Sequence, residues 1–290
     1  MPDPFGFLNI HKPAGMTSHD VVGKLRRGLR IKKVGHAGTL DPMATGVLVI
    51  CLGRATRLSE YVMASTKQYQ AQVTLGAVTD TYDAEGEILQ SADCSHITVD
   101  DVTALLPEFT GDIDQLPPVY SAIKRDGKKL YELARAGEEV ELEPRLVTIH
   151  SLSLGDWSPP TFALNVRCGS GTYIRSLAHD IGQRLDVGAH LSALERTASG
   201  QFFVGEAASP DDVLRDGWEA YLISPGDALV NLPAVHLNDE DADHIRHGRN
   251  PRHVLPAGGD TARAFDPHGN LIAILRAENG IWSPHKVFLD

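Results

Sequence analysis

The chain has 290 residues, 42% of them hydrophobic and 22% charged, with a formal net charge of −11. That length accommodates one large domain and a small one, and the balance of apolar and charged residues excludes a disordered or fibrous chain. No uninterrupted apolar run nears the ~18 residues of a membrane-spanning helix, and the opening Met1-Pro2-Asp3-Pro4 lacks the basic and apolar regions of a secretion signal. A cytoplasmic protein without membrane contact is therefore expected.

Phe5 to Ile10 reads as a short strand, after which Thr17 or Ser18 can cap a helix with Val21, Val22, Leu25 and Leu29 on one face. Its other face is basic. Lys24, Arg26, Arg27, Arg30, Lys32 and Lys33 occur without an intervening acid, so a phosphate-binding strip is expected on a chain that is acidic as a whole. The run Gly35-His36-Ala37-Gly38-Thr39-Leu40-Asp41-Pro42-Met43-Ala44-Thr45-Gly46 then presents one carboxylate on a glycine-studded loop, directly ahead of Val47 to Leu52, which reads as a buried strand. The glycines open backbone conformations closed to other residues, and Pro42 biases Asp41 toward an extended conformation. A carboxylate held on such a shelf is placed for chemistry; a tight surface turn whose Asp caps backbone groups is the alternative. Residues 54–63 have helical spacing, and Tyr69, Ala71, Val73 and Leu75 alternate with polar neighbours as a half-buried strand does.

The segment from Asp80 to Gly86 lacks the ligand alternation of a calcium loop and reads as a polar turn before a strand. Residues 100–109 and 128–136 read as helices, the second stopped by Gly137. With the Asp126-Gly127 turn and the basic Lys124, Arg125, Lys128 and Lys129 they predict an inserted lobe over roughly residues 95 to 150. Phe162, Leu164 and Val166 alternate as a strand leading into Gly169-Ser170-Gly171, residues 176–185 are helical, and Tyr173 and Arg175 stand at the junction. A Pro-bearing stretch, Pro225 to Pro233, predicts a boundary between domains 1–228 and 229–290. The second domain's turns and short apolar strands, such as residues 271–275, fit a small β-barrel. Cys51, Cys94 and Cys168 are odd in number and form no C-x-x-C pair, and His244 and His247 lack companions, so neither disulfide framework nor metal site is expected.

Further runs bear on the Asp loop. Lys12-Pro13-Ala14-Gly15-Met16-Thr17-Ser18 precedes it; Lys67-Gln68-Tyr69, Gly171-Thr172-Tyr173-Ile174-Arg175, Gly188-Ala189-His190-Leu191 and Leu194-Glu195-Arg196 follow. In order and spacing the set resembles the TruB family of tRNA pseudouridine synthases, whose catalytic loop reads G-H-x-G-x-L-D-P. The resemblance covers nearly the whole chain and weakens after about residue 225. It implies an α+β catalytic domain with a mixed or antiparallel central sheet and an inserted lobe, followed by a PUA-like RNA-binding β-barrel. It also implies isomerisation of uridine 55 in the T-loop of tRNA, with no cofactor, no guide RNA and no protein partner, by a monomer.

By the same resemblance Asp41 is the catalytic carboxylate, serving as nucleophile at the sugar or the base, or as a base removing a ribose proton; the sequence does not choose among these. Arg175 is the candidate cation that keeps a buried Asp41 ionised, since a guanidinium stays charged and meets a carboxylate with two donors. Tyr69 offers an aromatic wall for an extruded uracil, and by resemblance its phenol helps remove the C5 proton. Tyr173 and Leu194 close the pocket, His36 fills the gap left by the flipped base, and Lys12, Arg57 and Arg196 complete the expected substrate-binding set. Two other readings stand beside this one: the catalytic subunit of a guide-RNA ribonucleoprotein, and an RNA-binding or tRNA-folding protein without chemistry. The short amino terminus and the insert speak against the first. Asp41 with Tyr69 and Arg175 speaks against the second, because binding alone needs no carboxylate facing phosphates.

Overall fold

The computed structural model describes residues 4–118, 124–125, 128–129, 142–253 and 258–288. In chain order its strands are β1 (Phe5–Lys12), β2 (Val34–His36), β3 (Thr45–Gly53), β4 (Lys67–Leu75), β5 (Ala77–Thr79), β6 (Ile88–Ser91), β7 (Gly111–Gln115), β8 (Lys124–Arg125), β9 (Lys128–Lys129), β10 (Arg145–Ser158), β11 (Thr161–Cys168), β12 (Ala189–Ser199), β13 (Phe202–Phe203), β14 (Ala234–His236), β15 (Thr261–Phe265), β16 (Leu271–Glu278) and β17 (Ile281–Val287). The helices are α1 (Ser18–Leu29), α2 (Ser59–Met63), α3 (Val99–Leu105), α4 (Ile174–Arg184), α5 (Pro210–Asp216), α6 (Pro225–Ala228) and α7 (Asp239–Arg246).

Among the described residues the main sheet runs β1-β3-β12-β4-β11-β10-β7, with β2 beside β3 and β13 beside β12. Its pairs are antiparallel except β3 with β12, so the sheet is mixed as expected. Strand β3 is buried on both faces, which is why six apolar residues follow one another without polar alternation. Leu48, Ile50 and Leu52 join Leu8, Ile10 and the apolar faces of α1 and α4 in one core, while Val47, Val49 and Cys51 join Phe7 in a second core on the other face.

The parallel junction depends on a glycine. Gly46 has φ +92°, and a Cβ there would lie 2.3 Å from the Arg196 carbonyl oxygen of β12. Gly46→Ala is expected to cost at least about 2 kcal/mol in urea unfolding, since strain and backbone overlap act together. An unchanged midpoint would refute the close approach.

Helix α1 forms where predicted. Thr17 Oγ1 accepts from the Asp20 N–H at 3.0 Å and Asp20 Oδ2 accepts from the Thr17 N–H at 3.0 Å, a reciprocal cap. Residues 54–63 are not one helix: a 3-10 turn, Arg54–Leu58, precedes α2. The Thr56 and Ser59 hydroxyls each bond the carbonyl three residues earlier, at 2.9 and 3.1 Å, which suits the tighter winding. The helix expected from residue 128 gives way at its start to a two-residue strand, β9, paired with β8; residues 130–136 and the Asp126-Gly127 turn lie outside the described residues. Strand β7, inside the expected insert, and β10, which runs across its far end, pair with each other and extend the main sheet.

The C-terminal segment forms the small β unit expected of a PUA-like domain, a sheet ordered β14-β15-β16-β17 around its own core of Val235, Ala242, Ile245, Ala262, Leu275 and Trp282. It also packs on the main sheet: Leu271, Ile274 and Phe288 share the second core with Phe7, Val47, Val49 and Cys51. Among the described residues no helix is long and apolar enough to cross a membrane.

Candidate active site

Asp41 lies in the loop between β2 and β3, and the upstream Lys12–Ser18 segment is the cradle of that loop. The Lys12 ammonium, fully buried, donates to the Pro42 carbonyl at 3.0 Å and to the Pro13 carbonyl at 2.8 Å. The Gly15 N–H donates to the same Pro42 carbonyl at 2.9 Å. The Ser18 hydroxyl donates to the Leu40 carbonyl at 3.0 Å and accepts from the Leu40 N–H at 2.8 Å. Loop carbonyls and amides are thus satisfied by the Lys12 and Ser18 side chains and the Gly15 N–H, which leaves the Asp41 carboxylate as the projecting group. Burial drives the Lys12 ammonium down to about 8, against the opposing pull of Asp41.

Arg175, in the first turn of α4, is 6% exposed and meets Asp41 with two donors: Nε to Oδ2 at 3.0 Å and Nη2 to Oδ1 at 3.4 Å. Its remaining nitrogen, Nη1, donates to the Thr81 carbonyl at 3.1 Å and reaches Asp83 Oδ2 at 3.4 Å. The expected Asp–Arg pair is therefore part of a triad in which one guanidinium serves two carboxylates. Asp83, 4% exposed, also accepts from the Thr81 hydroxyl at 2.6 Å and from the Glu85 N–H at 3.0 Å. Sequence reasoning took it as one polar residue in a turn; nothing local separates it from Asp80, because its partner is 92 residues away. Burial raises Asp41 above the ordinary carboxylate range; Arg175 pulls it back, Asp83 pushes it further up and Lys12 opposes.

Tyr69, on β4, is half-buried against the helix-side core. Burial pushes its phenol up, while the charge of Arg196 pulls it back. Leu194 sits nearby on β12, 8% exposed, opposite Ala71 of β4. Tyr173 caps α4 with its main chain pinned by buried Gln115, whose amide accepts from the Tyr173 N–H at 2.7 Å and donates to its carbonyl at 2.9 Å. Gln115 is a second residue the sequence reading passed over.

The remaining expected residues are placed differently. His36 ends β2 partly buried, and its Nδ1 is buried without a hydrogen-bond partner; burial first, then Arg196 and His19, depress its protonation, so the ring is neutral at pH 7. Arg57 lies at the seam with the C-terminal unit, donating to the Val287 carbonyl at 2.8 Å with its guanidinium 5.0 Å from the Phe288 ring centroid. Arg196 is 1% exposed and turned into main-chain carbonyls behind the Asp loop. Of the basic strip, Arg26, Arg27, Arg30, Lys32 and Lys33 are exposed, whereas Lys24 is paired with Asp211 at 2.6 Å. Among the described residues no three His, Cys, Asp or Glu side chains are arranged to hold a metal ion.

The TruB family pseudouridylate synthase N-terminal domain matches residues 26–174, the tRNA pseudouridylate synthase B C-terminal domain matches 175–229, and the tRNA pseudouridine synthase II C-terminal domain matches 232–289. A tRNA pseudouridine synthase B of Symbiobacterium thermophilum is 51% identical over 85% of this chain and 83% of its own. One of Dehalococcoides mccartyi is 42% identical over 98% of this chain and 97% of its own. Among solved structures, a Cbf5-Nop10-Gar1 complex aligns over 98% of this chain and 85% of the matched chain with a TM-score of 0.78 at 30% identity. An H/ACA RNP bound to a substrate RNA aligns over 99% and 86% with a TM-score of 0.76 at 27% identity. Matched in its N-terminal and C-terminal domains alike, the chain belongs to the TruB family of pseudouridylate synthases.

Proposed function

We propose that this protein converts uridine to pseudouridine in tRNA, at position 55 of the T-loop, acting in the cytoplasm as a monomer without guide RNA, protein partner or cofactor. The observation that carries the reading is the Asp41 carboxylate paired with Arg175 and near enough to Tyr69 for its charge to act on the phenol. The isomerisation breaks the bond between ribose C1′ and uracil N1, turns the base and joins C1′ to C5; the C5 proton leaves and N1 gains one, so no electrons or atoms enter. Asp41 acts on the ribose or the base, held ionised by Arg175 although burial opposes the charge. Tyr69 stacks on the extruded uracil and its phenolate accepts the C5 proton. Residues 1–228 carry the chemistry, and residues 229–290 add RNA-binding surface.

Incubating the purified protein with an unmodified tRNA transcript, alone, and mapping pseudouridine tests this directly. Product at position 55 is expected; none in the absence of a guide RNA would transfer the case to the guided subunit.

The exposed arginines of α1 supply a second measurement. Arg26→Gln/Arg27→Gln is expected to weaken tRNA binding and to flatten the log–log dependence of affinity on salt by roughly 0.7 to 0.9 per lost phosphate contact. The rate from the saturated complex should change little. An unchanged slope in a folded variant would make this a solvated face.

A further inference from the structure

Arg175 works with little slack. Its Nη2 reaches Asp41 Oδ1 at 3.4 Å and its Nη1 reaches Asp83 Oδ2 at 3.4 Å. A separation of ~3.6 Å is no longer a hydrogen bond, so a small slip of the first turn of α4 would open the fork. The chain entering that turn restrains it weakly: Gly169, Ser170 and Gly171 lead in, with Gly171 at φ +86°. The restraint comes from the far edge of the sheet, where β7 is separated from β3 by β12, β4, β11 and β10. Gln115, the last residue of β7 and 1% exposed, sets its amide on the main chain of Tyr173: Oε1 accepts from the N–H at 2.7 Å and Nε2 donates to the carbonyl at 2.9 Å. One residue on, the Leu116 carbonyl accepts from the Ser176 hydroxyl at 2.7 Å, and Ser176 is likewise 1% exposed. Tyr173 lies two residues before Arg175 and Ser176 one after, so consecutive residues at the end of β7 hold the turn on both sides of the arginine. The Tyr173 carbonyl already accepts the first helical bond, from the Leu177 N–H at 3.1 Å. The helix therefore forms without the Gln115 donor, and what the second bond on that carbonyl adds is location.

We propose that Gln115, assisted by Ser176, is a positioning residue: the end of β7 clamps the first turn of α4 so that the Arg175 fork stays on the Asp41 carboxylate. The proposal rests on the role given above to Arg175. The guanidinium bonds groups on two loops, Asp41 between β2 and β3 and Thr81 with Asp83 between β5 and β6, while its main chain is fixed from β7. Three separate segments thus set one ion pair. The expected insert, in which β7 lies, gains a share in the rate without touching the reacting atoms.

Single-turnover rates and half-saturating tRNA concentrations, measured across pH for Gln115→Met, Ser176→Ala, Arg175→Lys and the Gln115→Met/Arg175→Lys double, test this. Gln115→Met keeps the volume and drops both bonds; it is expected to slow the saturated reaction about 10- to 10²-fold, the scale on which misplacements of ~1 Å act. Half-saturation should move less than about threefold, because the loss falls on the reacting geometry and not on tRNA binding. The acid limb of the rate should move to higher pH, since a slipped Arg175 opposes the burial of Asp41 less while Lys12 and Asp83, which also face it, stay in place. The effect should shrink in the Arg175→Lys background, because residues acting as a unit are not additive. Ser176→Ala, which removes one bond and leaves the amide, should slow the reaction about threefold with the same sense of pH shift. A folded Gln115→Met protein within about twofold of the parent, or losses that add, beside a slow Arg175→Lys would overturn the clamp and leave Arg175 its role. A weakened half-saturation with an intact rate would make the end of β7 an RNA contact and overturn it. Should Gln115→Met fail to fold, Ser176→Ala decides: a slower rate with the limb displaced upholds the clamp, and a parental rate and limb overturn it. An Arg175→Lys protein as fast as the parent would remove the arginine from the chemistry, and the clamp's purpose with it.

Discussion

Asp41→Asn is expected to abolish turnover, by at least about 10³-fold in single-turnover rate, while tRNA affinity stays within a few fold. The amide keeps the shape of the loop, whose anchoring bonds run to the main chain of Leu40 and Pro42 and not to the carboxylate. The same variant should be no less stable than the parent. The folded protein holds Asp41 above the ordinary carboxylate range, so ionising it costs stability. That cost is absent at low pH, where folded and unfolded chains are both protonated, and is present in full once pH exceeds the folded value. An uncharged amide escapes it, so any advantage in urea should appear at neutral pH and vanish as pH falls below the unfolded carboxylate's value. Activity near that of the parent would end the assignment of Asp41; a marked loss of stability at neutral pH would instead show that the carboxylate holds the loop.

Arg175→Met should have the largest effect on stability. It leaves Asp41 and Asp83 facing each other without the guanidinium that both use, and breaking a buried pair by removing one partner costs about 3–5 kcal/mol. It also takes away the cation that opposes the burial of Asp41, so in any fraction that folds the acid limb of the rate should move to higher pH. Arg175→Lys keeps the charge but not the planar fork, and is expected to restore much of the stability and little of the rate. Urea titration and the pH–rate profile read the two effects separately. A Met variant within about 1 kcal/mol of the parent would mean that water, and not Arg175, solvates the two carboxylates.

The parts of this architecture visible in the sequence are those with short-range causes. The cap of α1 sits within four residues, the run in β3 is apolar because both faces are buried, and the alternation in β4 and β11 follows the pleat. Strand β10 escaped notice because its fourteen residues are largely exposed and polar and its register slips twice against β11, blurring the period of two. The triad was half legible. Asp41 and Arg175 each stand in a distinctive run, whereas Asp83 and Gln115 owe their roles to partners brought across the fold. Residue type also misleads about exposure: Lys12, Arg57 and Arg196 look alike to a reader of charges, yet the first holds a loop, the second lies along a seam and the third is enclosed by carbonyls.

The core shared by Phe7, Val47 and Val49 with Leu271, Ile274 and Phe288 makes the carboxy-terminal unit a structural wall of the sheet that presents Asp41. Cutting the chain in the Pro225–Pro233 stretch would strip an apolar face from the very strand that follows the Asp41 loop, so a truncated protein would aggregate for reasons unrelated to RNA. Heating should melt both parts in one calorimetric transition rather than two. A graft of this unit from one relative to another would have to carry the seam with it, Arg57 and Phe288 included, or the recipient would lose the support of its Asp-loop strand along with its new appendage.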